Sequence, residues 1–333
     1  MKRAGNLYGA IADPDNLRLA FWKAKRGKAG KPDVEAFRAD LGRELEDLRG
    51  ELLAGDIRVG ECHTFTIHDP KERLICAPSF RERVLHHAVV NVCEPVFERR
   101  QIHDSYACRK GKGLHACLER AKRFTRYHDW YLKLDVRKYF DSIPHDRLRA
   151  LLRRRFKDRL LLALLERIID SHSAGTGKGI PIGSLTSQHF ANDYLSEADH
   201  MVKEAWSVRG YVRYMDDLVL WHDDKAALLR VERQLREFCR DALALELKPP
   251  CLNHTAKGVS MLGYRVFPDR VLLARRSRRR FVRKLGGYWQ MVSDGQWSQG
   301  EFAAHALPLV SYVGHADSAS FRRRIMEDIG CSP

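Results

Sequence analysis

Residues 210–221 read Gly210-Tyr211-Val212-Arg213-Tyr214-Met215-Asp216-Asp217-Leu218-Val219-Leu220-Trp221. Residues of high strand propensity flank a short polar step, and this pattern predicts an antiparallel hairpin whose tip carries two aspartates. Adjacent carboxylates on an apolar hairpin repel each other unless cations compensate their charge. The stretch therefore predicts a sheet that presents a cation-binding carboxylate pair. An ordinary turn is the alternative, because Asp is a common turn residue.

A third carboxylate, Asp135, ends a second strand-like run, Trp130–Leu134. Nucleotide transfer to a primer hydroxyl requires two divalent ions about 3.5–4 Å apart that share carboxylate ligands. We therefore expect Asp135 and Asp216 to be direct ligands of two Mg²⁺ ions, with Asp217 beside them and Mn²⁺ as the alternative metal. The pair Asp223-Asp224 is expected instead to be solvated and to cap the following helix.

The chain is strongly basic. Among its 333 residues, 59 Lys and Arg against 43 Asp and Glu give a net charge of +16. Such a field attracts polyanions, including the phosphates of nucleic acids, although membrane-surface proteins share it. No apolar run reaches the roughly 20 residues of a membrane span, and no apolar signal segment follows the first residues. We therefore expect a soluble, unexported protein with no membrane partner.

The cysteines are scattered and include no Cys-x-x-Cys pair, so a zinc site is not supported. Without an export signal, reduced thiols are expected rather than a disulfide framework. The eight cysteines are Cys62, Cys76, Cys93, Cys108, Cys117, Cys239, Cys251 and Cys331.

The spacing of apolar residues predicts an α+β protein. Helices and strands interleave without a regular βαβ rhythm, which favours an antiparallel sheet backed by helices. Helices are expected at 15–54 (ended by Gly55), 79–100, 113–127, 144–165 (capped by Ser142 or its neighbour), 187–206 and 225–243. Strands are expected at 62–77 (a pair with a turn at 68–71), 130–134, 210–222, 245–248 and 259–267, with a glycine-rich loop at 175–183.

Five segments, in order, resemble the motifs of reverse transcriptases. Tyr214–Asp217 resembles their active-site hairpin, and Leu134–Ile143 resembles their first catalytic motif. Residues 71–75 resemble the fingers hairpin, residues 106–113 a segment of bacterial reverse transcriptases, and residues 261–264 the primer grip. The resemblance implies a right-hand polymerase with fingers, a palm built on an antiparallel sheet, and a helical thumb.

The implied division of the chain has six segments. They are an N-terminal helical extension (1–60), fingers with the start of the palm (61–129), palm (130–145), a fingers and palm insertion (146–186), palm with primer grip (187–270) and a basic helical thumb (271–333).

One motif narrows the resemblance. Many bacterial reverse transcriptases, including those of group II introns and retrons, carry Gln-Gly-x-x-x-Ser-Pro, whereas this chain has Ile182-Gly183-Ser184-Leu185-Thr186-Ser187-Gln188. The aliphatic residue in place of Gln and the Gln in place of Pro resemble the reverse transcriptases of diversity-generating retroelements. The compact length fits that group, because group II intron proteins usually add a maturase region.

The resemblance implies copying of a template-repeat RNA into cDNA with errors at template adenines, followed by mutagenic retrohoming into a target gene. The implied partners are the template-repeat RNA, a DNA or cDNA primer strand, deoxynucleoside triphosphates and a small basic accessory protein that assembles as a pentamer. The implied setting is the cytoplasm of a bacterium, with a bacterial or phage gene. The alternatives are a retron-like or phage-defence reverse transcriptase, and an RNA-binding scaffold with a broken aspartate set.

The resemblance also assigns roles to residues. Val136 adds a backbone carbonyl to the metal ligands, and Phe140 excludes a ribose 2′-hydroxyl unless it is an ordinary core aromatic. Lys248 either protonates the leaving pyrophosphate or is a surface lysine. The residues expected to contact the nucleotide are Lys71, Arg73, Phe140, Ile182 and Gln188, with solvated hairpin charge as the alternative for Lys71 and Arg73. The residues expected to contact primer or template are Leu262, Gly263, Tyr264, Arg275, Arg276, Arg279, Arg280 and Arg283, and a solvated face or tail is the alternative for the arginines.

Two further expectations concern the pocket and its surroundings. Arg73 and Ile182 together are expected to loosen discrimination opposite adenine. His86-His87 lies on a predicted helix without nearby ligands in sequence, so a structural role is expected for this pair.

Overall fold

The computed structural model describes residues 2–68 and 72–330. The helices are α1 (Tyr8–Ile11), α2 (Pro14–Lys25), α3 (Pro32–Ala39), α4 (Leu41–Ala54), α5 (Phe80–Glu98), α6 (Leu114–Tyr127), α7 (Tyr139–Ser142), α8 (His145–Arg155), α9 (Arg159–Asp170), α10 (Leu185–His200), α11 (Lys225–Asp241), α12 (Arg275–Ser293), α13 (Gln299–Gly314) and α14 (Ala319–Asp328). The strands are β1 (Cys62–Ile67), β2 (Arg73–Pro78), β3 (Trp130–Asp135), β4 (Gly210–Tyr214), β5 (Asp217–His222), β6 (Cys251–His254), β7 (Val259–Met261), β8 (Tyr264–Val266) and β9 (Val271–Leu273).

The chain divides discontinuously into two compact units. The first comprises residues 1–109, 135–201 and 234–248, and the second comprises residues 110–134, 202–233 and 249–333. Within the described residues, every helix is too short or too polar to cross a lipid bilayer.

The first unit is largely helical and is centred on α5, which packs against α2 and α10. A buried ion pair joins α8 to α10, because Arg155 Nε donates to Asp193 Oδ2 at 3.1 Å. Burial raises the pKa of Asp193, and the Arg155 guanidinium opposes that rise. Removing one partner of such a pair leaves a buried charge without compensation. The pair therefore holds α10, whose N-terminal turn follows the predicted nucleotide pocket.

The second unit contains a four-stranded sheet in the order β4-β5-β3-β6 and a three-stranded sheet in the order β7-β8-β9. The pairs β4–β5, β3–β6, β7–β8 and β8–β9 are antiparallel. Trp221 of β5 is fully buried, and its indole Nε1 donates to Thr125 Oγ1 of α6 at 3.1 Å. Helix α6 thus covers the larger sheet, as the pattern of an antiparallel sheet backed by helices predicts.

Several predicted helices are interrupted. The span 15–54 breaks between α2 and α3, where Gly27 and Gly30 adopt positive φ angles of 69° and 81°. The span 144–165 breaks between α8 and α9, where the Asp158 side chain accepts the Leu161 N–H as an N-cap. The prediction that Ser142 caps α8 is wrong, because its hydroxyl donates to the carbonyl of Arg137 at 3.0 Å.

The predicted strand at 245–248 is also wrong. Only Leu247 forms a bridge there, with Val136, and the regular partner of β3 is β6. Pro249-Pro250 separates Leu247 from β6, and proline cannot donate a ladder hydrogen bond. At the C-terminal side, residues 271–273 form β9 rather than the start of the helical region.

The cysteines are not all reduced thiols in this structure. Cys62 and Cys76 form a disulfide across the β1–β2 pair, with their Cα atoms 5.6 Å apart. That separation lies within the range that a disulfide spans. The prediction failed because hairpin register brings two distant cysteines together, which their sequence spacing does not show. The described cysteines outside this disulfide are Cys93, Cys108, Cys117, Cys239 and Cys251.

Candidate active site

The hairpin β4–β5 presents the predicted carboxylate pair at its tip. Tyr214 is paired with Asp217, so Met215 and Asp216 form the turn. Met215 adopts a φ of 54°, a left-handed conformation that costs a non-glycine residue about 1–3 kcal/mol. The fully buried Arg213 supports the turn by donating from Nη1 to the carbonyl of Met215 at 3.1 Å. The tip is therefore held in a strained, fixed geometry.

The third predicted carboxylate ends the neighbouring strand. In the sheet, β5 is a hydrogen-bonded neighbour of β3, and β3 ends at Asp135. Lys133 of β3 contacts Asp217 of β5, with Nζ 3.0 Å from Oδ1. The C-terminal end of β3 thus lies beside the N-terminal end of β5.

A second lysine contacts the aspartate of β3. Lys248 Nζ lies 2.5 Å from Asp135 Oδ1, and the Lys248 N–H donates to the Asp135 carbonyl at 2.9 Å. Val136 is buried and forms its bridge with Leu247, which fixes the direction of the backbone after Asp135.

No group of three or more His, Cys, Asp and Glu side chains within residues 2–68 and 72–330 could hold a metal ion by itself. Magnesium does not require such a group, because it usually takes one or two carboxylates and completes its shell with substrate phosphates and water. Asp135 and Asp217 each contact a lysine ammonium instead. Their all-oxygen donors suit a hard ion such as Mg²⁺ or Mn²⁺.

In the first unit, Phe140 lies beside the glycine-rich loop. The Phe140 carbonyl accepts the Ile180 N–H at 2.9 Å, and the hydroxyl of the adjacent Tyr139 donates to the Ala191 carbonyl of α10 at 2.5 Å. Tyr139 is buried, whereas Phe140 is half-buried. The first catalytic motif is therefore tied to residues on either side of the segment 182–188. The Phe140 ring is more accessible than the Tyr139 ring.

The other predicted nucleotide residues lie on the same unit. Ile182 accepts the Cys76 N–H of β2 at 2.8 Å through its carbonyl, and Gln188 Oε1 accepts from the Cys108 thiol at 3.4 Å. Arg73 is exposed at the start of β2. Lys71 lies outside the described residues. The structure thus connects the base of the hairpin to Ile182.

The predicted primer grip is a tight turn between β7 and β8. Leu262 and Gly263 adopt positive φ angles of 51° and 85°. A Cβ on Gly263 would overlap the Tyr312 hydroxyl, which explains why glycine is required. Tyr312 donates to the Leu262 carbonyl at 3.0 Å, and the buried Tyr264 donates to the Tyr312 carbonyl at 2.5 Å. The turn is therefore clamped by α13.

The basic run forms one face of α12. Phe281 and Leu285 are buried, and they anchor the opposite face. The arginines on this face are exposed, and they are Arg275, Arg276, Arg279, Arg280 and Arg283. A row of exposed cations on a packed helix suits a phosphate backbone, and the packing excludes an unstructured tail.

Three residues near the predicted sites have contacts that the sequence reasoning missed. Lys133 contacts Asp217, Arg213 supports the turn, and His86 contacts Ser184. A signal existed for Lys133, because it lies two residues before Asp135 and strand alternation places both on one face. Arg213 also gave a signal, because a charged residue within an apolar strand requires a polar partner.

A helix-covered antiparallel sheet that presents a carboxylate hairpin beside a strand ending in aspartate defines a right-hand nucleic-acid polymerase. The solved structure of apo telomerase from Candida tropicalis is similar, with 10% identity, a TM-score of 0.50, and coverage of 87% of this chain and 64% of that chain. At this identity the likeness shows the fold alone, and it confirms the predicted fold class.

The chain belongs to the reverse transcriptase family. The family profile described as reverse transcriptase (RNA-dependent DNA polymerase) matches residues 68–266, which is more than half of the chain. The prediction of an RNA-directed DNA polymerase, a nucleotidyltransferase, is confirmed at the level of the family.

Two relatives illustrate the breadth of this family. Protein YkfC of Escherichia coli K12 is 27% identical over 284 residues, which cover 70% of this chain and 74% of that protein. The group II intron-encoded protein LtrA of Lactococcus lactis is 27% identical over 138 residues, covering 40% of this chain and 23% of LtrA. The chain thus spans less than a quarter of LtrA. The narrower assignment to a diversity-generating retroelement stays a prediction.

Proposed function

We propose that this chain is the RNA-directed DNA polymerase of a diversity-generating retroelement, which copies a template-repeat RNA into cDNA with errors at template adenines. The observation that carries the polymerase part is the contact between Lys133 and Asp217. This contact joins β3 to β5 within the second unit, and in the proposal these two strands lead to the metal-binding aspartates. Mutagenic retrohoming of the cDNA is the proposed outcome.

In this proposal Asp135, Asp216 and Asp217 hold two divalent ions, and the carbonyl of Val136 adds a ligand. When bound, such ions neutralise charge on the attacking and leaving oxygens. The lysines at 133 and 248 orient Asp217 and Asp135 until metal and nucleotide arrive. Because Lys248 contacts Asp135 directly, its ammonium is also placed to donate a proton to a leaving phosphate held there.

The nucleotide side of the proposed site comprises Lys71, Arg73, Phe140, Ile182 and Gln188. Arg73 is exposed, and within the described residues no acid forms an ion pair with it. A planar guanidinium in this state is suited to phosphate binding and to stacking. The primer is proposed to follow residues 262–264, and the duplex to follow the exposed arginines of α12.

The narrower assignment is supported by Ile182 and Gln188, which replace the Gln and Pro of many bacterial reverse transcriptases. In this proposal residues 1–60, 61–129, 130–145, 146–186, 187–270 and 271–333 serve as extension, fingers, palm, insertion, palm with primer grip, and thumb. The proposed partners are the template-repeat RNA, a DNA primer, deoxynucleotides and a small basic pentameric accessory protein. A near-duplicate DNA repeat beside the gene, differing at adenines, would separate this proposal from a retron-like or defence enzyme.

Primer extension on an RNA template tests the polymerase function. We expect DNA synthesis with Mg²⁺, altered rate with Mn²⁺ and no product after chelation, because carboxylates alone do not neutralise the transferred phosphate. Heat-denatured protein and a DNA template of the same sequence are the controls. A purified, folded chain that extends no primer with either ion would contradict the proposal and favour an RNA-binding scaffold.

Base discrimination opposite adenine is expected to depend on Arg73 and Ile182. The changes Arg73→Ala, Ile182→Gln and Ile182→Asn should each change the adenine error frequency about three- to tenfold, the value of one hydrogen bond gained or lost. Sequencing of cDNA from a template with all four bases measures this. Arg58→Ala, at an exposed arginine, and the volume-conserving Ile182→Leu are matched controls. Unchanged adenine errors in all three test variants would refute the role of this pocket.

A further inference from the structure

A chain of buried polar side chains links α5 to the pocket segment 182–188. Ser184 Oγ lies 3.0 Å from His86 Nδ1 and 2.9 Å from Thr186 Oγ1. His86 Nε2 lies 3.4 Å from Glu82 Oε1, and Glu82 Oε2 accepts the Gly60 N–H at 2.9 Å. The side chains of His86 and Ser184 are each only 2% exposed. Burying polar groups costs free energy unless they are paired. The presence of this buried polar series therefore calls for a functional explanation.

Both ends of this series of buried polar side chains reach the β1–β2 hairpin. Gly60 leads into β1, and the Ser79 N–H after β2 donates to the Glu61 carbonyl at 2.8 Å. From the other side, the Ile182 carbonyl accepts the Cys76 N–H. Gly183 adopts a φ of 124°, and a Cβ there would lie 2.6 Å from the Cys76 carbonyl oxygen. The base of the hairpin and the pocket segment therefore touch without space between their backbones.

We propose that His86 and Ser184 are positioning residues for nucleotide selection, which fix the segment 182–188 against the base of the β1–β2 hairpin. This inference rests on the proposed polymerase function, with Ile182 in the nucleotide pocket. Neither residue touches the nucleotide. Ser184 is the residue before the first turn of α10, so rotation of its backbone moves Ile182 directly. The hydrogen bond between Ser184 and His86 opposes that rotation.

A purely structural role makes a different prediction. Side chains that only stabilise the core lower the free energy of unfolding when they are changed, but they leave the folded pocket as it was. Positioning residues change the affinity for the nucleotide and the choice of base while the chain remains folded. The ratio of the effect on KM to the effect on kcat therefore distinguishes the two roles.

Two amide substitutions distinguish the roles of the two ring nitrogens of His86. Asparagine places an amide where His Nδ1 lies, whereas glutamine places one where Nε2 lies. We expect His86→Asn to retain the contact with Ser184 and His86→Gln to lose it. His86→Gln and Ser184→Ala should raise the KM for deoxynucleotides about three- to tenfold and alter the adenine error frequency, with kcat within about twofold. His86→Asn should stay within about twofold of the wild type in KM.

The adjacent His87 supplies a matched control on the same helix. It is half-buried, and burial together with Arg83 lowers its pKa to about 4, so it is neutral near pH 7. His87→Asn should leave the KM and the error frequency unchanged. Amide hydrogen exchange provides a readout without activity, because the Cys76 N–H donates to Ile182. Exchange at Cys76 should accelerate in His86→Gln and Ser184→Ala, but not in His87→Asn.

The outcomes separate the two proposals. Wild-type protein that extends no primer would overturn the proposed function, while Cys76 exchange would still decide whether His86 and Ser184 hold the segment. Active variants with unchanged KM, unchanged errors and wild-type Cys76 exchange would overturn the inference. A lower melting temperature with unchanged KM and errors would also overturn it, because that result describes core packing alone.

Discussion

Asp216→Asn is expected to lower the rate of primer extension by at least about 10³-fold, because one ligand charge is lost where the transferred phosphate must be neutralised. The substitution keeps the size and shape of the side chain. Asp216 lies half-buried in the turn of the β4–β5 hairpin, where the apolar strands hold the backbone. The loss should therefore appear in kcat while the melting temperature and the affinity for RNA remain near the wild-type values.

The adjacent acidic pair supplies the control. Asp224 caps α11, since its carboxylate accepts the N–H groups of Ala226 and Ala227, and Asp223 accepts the Asp129 N–H at 3.3 Å. Asp223→Asn removes a charge from the same unit but keeps an acceptor oxygen. We expect it to retain extension within about threefold. Extension by Asp216→Asn at the rate of Asp223→Asn would refute the metal assignment.

The hairpin and the strand before Asp135 could be predicted because their information is local. Strand propensity on both sides of Met215–Asp217 predicts a hairpin, and β4 and β5 lie within the predicted span 210–222. The capping role of Asp224 was also predictable from its place before an apolar helix. Such features depend on neighbours in sequence, which a single chain displays.

The contacts that complete the candidate site are not local. Lys248 meets Asp135 across 113 positions, and Ser184 meets His86 across 98 positions. No period or propensity encodes such pairs, so the sequence showed only that lysine, histidine and serine were present. The disulfide between Cys62 and Cys76 was not predicted for the same reason, because strand register decides which cysteines meet.

Phe140 gives the second large expected effect, since backbone contacts as well as its ring hold it at a defined position. Its carbonyl accepts the Ile180 N–H, and the Tyr139 ring packs edge-on against it, with centroids 5.8 Å apart at 83°. The buried Tyr139 anchors the short helix through Ala191. Removing the Phe140 ring should therefore leave the backbone in place and create space.

In the proposed site that space lies where a ribose 2′-hydroxyl would stand. Phe140→Ala is expected to raise kcat/KM for ribonucleotides relative to deoxynucleotides by roughly 10–200-fold, the range expected when a small group is admitted to or excluded from a pocket. Single-nucleotide incorporation with matched rNTP and dNTP measures the ratio. Tyr139→Phe is the control, because it keeps a ring on the same helix and removes only the hydrogen bond to Ala191; it should lower stability by about 1 kcal/mol without changing sugar selectivity. An unchanged ratio in Phe140→Ala, with deoxynucleotide incorporation intact, would identify the ring as ordinary core packing and place sugar selection elsewhere in the pocket.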